Sequence, residues 1–166
     1  ILEQKIKAEM ALEEKFSKYR TVVDNRKYTD NEVEAILKTS TDSRLIQKVW
    51  VAGKQIGDSV ADDILELVKI RNEIAVKSGF SNYYEMSLRL SDQDPVQIER
   101  IFDELDSLTS DAFSELKVHM DSVLAVRYRI DPKDLMPWHY QNRFFQEAPA
   151  IYNVNLDSYY SGKDVV

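Results

Sequence analysis

Cysteine is absent from this 166-residue chain, which excludes disulfides and thiolate metal sites. Its absence fits a reducing compartment, so the expected address is cytoplasmic. Glycine and proline number four each, too few for a chain of many short turns; this points to long helices with few connections. Only two histidines occur, His119 and His139, which leaves little material for a histidine-rich metal site. No stretch approaches the ~20 consecutive apolar residues that a membrane span needs. Basic residues are outnumbered, 22 against 29 acidic ones, for a net charge of −7. That balance argues against a general binder of nucleic acid or of an anionic membrane, because phosphate contacts need clustered Lys and Arg. Hydrophobic residues at 43% supply enough apolar material for a core and exclude a disordered chain.

What is present is helical periodicity. Leu2, Ile6, Met10, Leu12 and Phe16 recur at roughly helical spacing among interleaved Glu and Lys, which predicts an amphipathic first helix. "TDNE" at Thr29–Glu32 has the capping-box pattern and should open a short helix through Leu37. "STDS" at Ser40–Ser43 offers another start. Leu45, Val49, Ala52, Ile56, Val60, Ile64, Leu67 and Ile74 then keep a spacing of three to four for about eight turns. Gly53 and Gly57 interrupt that run. They suit a kink, a break with Asp58 as a new cap, or a close helix crossing at Gly-x-x-x-Gly. Gly79 ends the helix, as a C′ glycine should. Ser81 is expected to cap "NYYEMSLRL", with Tyr83 and Tyr84 packing between helices. Asp94 followed by Pro95 opens the most regular stripe in the chain, running from Ile98 to Leu124. Unbroken to Arg129, that helix is about 50 Å long, which suggests a helix sized for a larger body.

The expected class is all-α, built of long antiparallel helices. One helical region covers residues 1–166, with N-terminal helices over 1–40, long helices over 44–130, and an aromatic loop with the start of a further helix over 131–166. Asp164 is the expected cap of that last helix. Because Ile1 already sits in helical pattern and the end falls where a helix should start, the chain is read as a fragment of a larger catalytic domain.

Candidate chemistry is sparse. No nucleophile elbow and no Gly-rich phosphate loop occur. Glu115 and His119 stand four apart on one helix, but no third ligand is nearby, so a solvated face is the expectation. Asp62–Asp63 and Asp103–Glu104 are adjacent pairs that point about 100° apart and do not converge on one ion. Arg71, Asn72 and Glu73 are expected to form a hydrogen-bond network at the edge of the core. The aromatic stretch "DLMPWHYQNRFFQEAP", Asp134–Pro149, cannot be one regular helix, because Pro137 interrupts it. Either Trp138, Phe144 and Phe145 tuck it onto the core, or Trp138, His139 and Tyr140 line a groove for an extended ligand.

"KQIGDSVADDILELVKIRNEIAVKSGFSNYYEMSLRL" together with "LMPWHYQNRFFQEAP" resembles the front half of a zinc metallopeptidase. The family it is most similar to is the angiotensin-converting-enzyme-like peptidyl-dipeptidases in their bacterial form, with oligoendopeptidase F and thimet oligopeptidase close in style. The resemblance covers about Trp50 to Val166. It implies a helical fold split by a deep cleft, with this chain as lid and wall, Trp138 near the substrate region, and peptides as substrates. It also implies zinc held by H-E-x-x-H and a further Glu, with the motif Glu acting as general base on zinc-bound water. That motif does not occur in this chain. The zinc therefore belongs to a C-terminal catalytic half of the same protein, and this chain alone is expected to bind no metal and to be inactive. A "WR" pair that animal members use toward chloride is replaced by Ser87 and Leu88, so no chloride ligand is assigned. The rival expectation is a free-standing, non-catalytic helical interaction module.

Overall fold

The computed structural model describes residues 1–152. Residues 153–166, and with them the helix expected at Asp164, lie outside the described part. Six α-helices carry the fold: α1 (Leu2–Lys18), α2 (Asp30–Thr39), α3 (Ser43–Lys54), α4 (Ile56–Lys77), α5 (Tyr83–Leu90) and α6 (Pro95–Tyr128). The all-α class is thus observed, with one small exception. Thr21–Val23 (β1) and Arg26–Tyr28 (β2) form an antiparallel hairpin, with Val23 opposite Arg26. The two-residue turn is Asp24–Asn25, with φ of 49° and 64°. Positive φ at both central positions is the hairpin turn whose twist matches that of the strands, and Asp and Asn tolerate it best after Gly. Strands of three residues are too short for alternation to show, so only the Asp-Asn dipeptide announced this hairpin.

Local chemistry fixes most helix starts. The Thr29 side chain accepts from the Glu32 N–H while Glu32 accepts from the Thr29 N–H at 2.8 Å, a complete capping box for α2. Asp42 accepts from Arg44 and Leu45 to open α3. Asp94 accepts from Gln97 at 3.0 Å ahead of Pro95 in α6. The cap of α5 is Asn82, one residue after the expected Ser81; Ser81 instead bonds the Glu85 carboxylate.

The long run from Leu45 to Ile74 is two helices. The break falls at Gln55, and neither Asp58 nor a close crossing causes it. Gly53 is buried, and a Cβ there would meet Thr21 Oγ1 at 3.5 Å, ordinary contact; Gly57 faces open space. A second helix therefore packs on neither glycine. Gly79 does end α4 in the left-handed region, φ 88°.

α1 lies antiparallel on α4: Arg71 donates to Glu9 at 2.7 Å near one end, and Lys15 pairs with Asp63 toward the other. Most of the large apolar residues of α1 face away from this contact. Leu2, Ile6, Met10 and Phe16 are exposed, and it is Ala8, Glu9 and Leu12 that turn partly inward. The main core gathers Val23 of β1, Val33 and Leu37 of α2, Ile46 and Val49 of α3, and Met120, Leu124 and Tyr128 of α6. A smaller cluster joins Ile74 and Ala75 of α4 to Met86 of α5. Arg71 and Asn72 hold its edge as expected: the Arg71 guanidinium lies 5.3 Å from the Tyr83 ring, and the Tyr83 N–H donates to Asn72 Oδ1 at 3.0 Å. Glu73 is not part of that edge; it points outward and pairs with Lys77. Tyr84 also departs from expectation and is exposed.

α6 is 34 residues, about 51 Å at ~1.5 Å per residue. Only its last turns enter the core. Ile101, Phe102, Leu105, Leu108, Phe113 and Leu116 all stay exposed. Two substitutions separate the two regimes. Leu124→Ala, at full burial, should lower the unfolding free energy in urea by about 2–5 kcal/mol. Leu108→Ala, 72% exposed, should change it by no more than about 0.5 kcal/mol.

Candidate functional site

α6 stops because Arg129 adopts the left-handed conformation, φ 57°, and Asp131–Pro132 cannot continue a helix. The chain then makes short 3₁₀ turns at Pro132–Asp134 and Pro137–Tyr140 and runs back along the helix it has just left. Gln141 and Phe145 also take positive φ, 62° and 58°, so the return is a series of tight reversals.

The three expected groove residues divide. Trp138 turns into the main core, its ring 6.0 Å from Trp50 and 5.8 Å from His139. His139 is 2% exposed. Its Nδ1 accepts from the Met136 N–H at 2.8 Å, so the proton sits on Nε2, which donates to Ser43 Oγ at 2.8 Å. Burial pushes the His139 pKa below its ordinary value, and a neutral ring satisfied at both nitrogens suits that site. These two residues fasten the aromatic segment to α3 and do not line the groove beside α6. Tyr140 does line a groove.

That groove lies between α6 and Leu135–Pro149. It measures about 410 Å³ and is walled mainly by Phe113, Met120, Met136, Pro137 and Phe145. Lys117 and Tyr140 give it one polar margin. Lys117 Nζ donates to both Asp121 oxygens, at 2.7 and 2.6 Å, and to the Tyr140 hydroxyl at 2.7 Å, while that hydroxyl donates to Asp121 Oδ1 at 2.8 Å. The triangle is closed. Burial favours the uncharged amine, but Asp121 and Tyr140 outweigh it and hold the Lys117 pKa above its ordinary value. Burial, helped by Asp121 against the opposing Lys117, raises Tyr140. At neutral pH the margin is therefore an ammonium, a carboxylate and a neutral phenol, with no net charge.

Farther along, the segment is pinned from outside. Arg143 pairs with Asp30 at 3.1 Å, Lys54 donates to the Arg143 carbonyl at 2.8 Å, and Gln141 Oε1 accepts from the Ala150 N–H at 2.9 Å. Phe144 and Phe145, expected to help tuck the loop onto the core, are instead about half exposed, with Phe145 standing in the groove wall.

Lys117 and Asp121 were not among the expected site residues. Their spacing of four on a helix marks an ion pair, but nothing in sequence ties that pair to Tyr140, which lies 19 residues beyond Asp121. His119 stacks on Tyr152 with ring centroids 5.8 Å apart. Among the described residues no three His, Asp or Glu side chains come together to hold a metal ion. No helix there is long and apolar enough to cross a membrane. Comparison with protein-family models, with curated proteins and with solved structures finds no match to this chain.

His139 generates a prediction with a definite sign. Its native pKa lies below the unfolded value near 6.5, so the unfolded chain binds the extra proton first and stability falls as pH drops through that value. Thermal melts should show a lower midpoint at pH 5.5 than at pH 7.5. In His139→Gln the whole curve should sit lower, and this part of its pH dependence should vanish.

Proposed function

We propose that this chain forms the N-terminal helical part of a zinc-dependent peptidase of the peptidyl-dipeptidase type, in which the groove beside α6 binds part of a short peptide. The observation that carries the reading is the groove itself. It is apolar along most of its length and bears a fixed polar margin of Lys117 and Tyr140. An apolar wall suits a peptide side chain, and a few placed polar groups orient the main chain beside it. The groove is built by "LMPWHYQNRFFQEAP", one of the two segments that carry the family resemblance.

The described residues offer no zinc ligand set. In this reading zinc is held by the catalytic half of the same protein and supplies an activated water there. The share of this chain is binding and orientation, which lower the barrier by holding the peptide in place. Its partners are the peptide and that catalytic half, with neither nucleic acid nor membrane involved, and the cytoplasm is the compartment that goes with the reading. A second reading, a non-catalytic helical interaction module, is favoured by a different observation: the bare middle of α6.

The native gene product should hydrolyse short internally quenched peptides. Chelation should abolish that activity and zinc restore it, while the 166-residue chain alone should be silent. Phe145→Ala, at a half-exposed position, should raise KM in the native enzyme about tenfold, or ~1.4 kcal/mol, with its melting temperature unchanged. A native product with neither zinc nor peptidase activity would overturn the peptidase reading in favour of the interaction module.

A further inference from the structure

The middle of α6 is unlike the rest of the surface. Ile101, Leu105, Leu108 and Leu116 are separated by four, three and eight residues and so share one face, with Phe102 and Phe113 along its side. All six are exposed, from 41% at Leu116 to 72% at Leu108. Single exposed apolar residues are ordinary, but a contiguous strip marks an interaction site. This strip is about 22 Å long at ~1.5 Å per residue.

Its margins carry charge of one sign. Helical spacing sets Glu104, Asp111 and Glu115 along one margin and Asp106 and Glu99 along the other, with Asp103 on the back of the helix. Between Glu99 and Leu116 the only basic residue is Arg100, so six acids and one base leave a net charge of −5. None of these seven side chains forms an ion pair among the described residues. Elsewhere on the described surface a number of charges are paired, among them Lys5 with Glu9, Lys77 with Glu73 and Arg89 with Asp94.

From this pattern we infer that the face of α6 between Glu99 and Leu116 docks a basic amphipathic helix, apolar along one face with Lys or Arg at both margins. A straight apolar strip flanked by charge is the form a partner helix reads, packing alongside at about 8–10 Å between axes. Opposite charge at the margins steers encounter and sets register. The same charges exclude other occupants. A second copy would set −5 against −5, and an anionic bilayer or a nucleic acid would be repelled. The inference goes beyond the peptidase reading and does not depend on cleavage: Phe113 borders both the strip and the groove, but Tyr140 and Phe145 lie off this face.

The test uses three synthetic peptides of about six helical turns, or roughly 21 residues. One carries Leu on a single face and Lys at both margins. The second carries Glu at the margins, and the third scrambles the Lys peptide so that no apolar face forms. Binding to the 166-residue chain is measured by calorimetry at low and physiological salt. The Lys-margin peptide should bind at least about tenfold tighter than either control, more weakly as salt rises. Leu105→Asp with Leu108→Asp should abolish binding while leaving the circular-dichroism melt unchanged, because both side chains are already solvated. Glu104→Lys, Asp111→Lys and Glu115→Lys together should move the preference to the Glu-margin peptide. Absence of binding, equal binding of Lys and Glu peptides, or indifference to the two Asp substitutions would overturn the inference. So would salt-insensitive self-association through this face in sedimentation, or binding to vesicles of anionic lipid. Hydrolysis by the native gene product and its response to Phe145→Ala are read separately, so failure here leaves the groove reading standing.

Discussion

The fold depends on the burial of one short stretch of one helix. Met120, Leu124, Ala125 and Tyr128 drive the last turns of α6 into a core otherwise made by the hairpin, α2 and α3. Each fully buried aliphatic side chain there is worth roughly 1.5–3 kcal/mol relative to exposure. Those turns fix the direction of the whole 34-residue rod and the point from which the aromatic segment leaves it. Without that anchor, neither the groove nor the exposed strip would have a defined place.

The aromatic segment follows from the same anchor. A chain leaving a helix beside its own core can cover the helix only by reversing sharply, and the positive φ at Arg129, Gln141 and Phe145 marks the reversals. The segment divides its aromatics by role. Trp138 and His139 go inward and are held by Trp50, Tyr128 and Ser43. Tyr140 and Phe145 stay at the groove. Neither reading open in the sequence, packing or groove wall, holds for the whole stretch: Trp138 and His139 pack inward, while Tyr140 and Phe145 border the groove. The neutral triangle of Lys117, Asp121 and Tyr140 joins the helix to the loop and keeps the groove's polar margin in one geometry.

Much of α6 stands outside the core and still reads as helix. It has no internal Gly or Pro, a Pro95 start behind the Asp94 cap, and side-chain bonds from Ser107 and Thr109 back to carbonyls one turn earlier. Helices of this length in water gain most of their stability from packing an apolar face. The bare strip from Ile101 to Leu116 is thus a surface with binding energy in reserve, and its acidic margins select what can use it.

What the sequence determined by itself is local. The caps at Thr29 and Asp94, the start signal within Ser40–Ser43, the terminating Gly79 and the helical periodicity pointed to the all-α class and most helix starts, because each depends on groups within one turn of each other. The hairpin was written only in Asp24–Asn25, two residues that period-counting passes over. Tertiary structure decided the rest. Periodicity marks one face of a helix as apolar, but whether that face is covered depends on which distant segment reaches it. So Leu124 and Leu108, two members of the drifting apolar series that runs from Ile98 to Leu124, end at 0% and 72% exposure. For the same reason His139 became an anchor and Lys117 a site residue: their partners, Ser43 and Tyr140, lie 96 and 23 residues away, and only the folded chain brings them within hydrogen-bond reach.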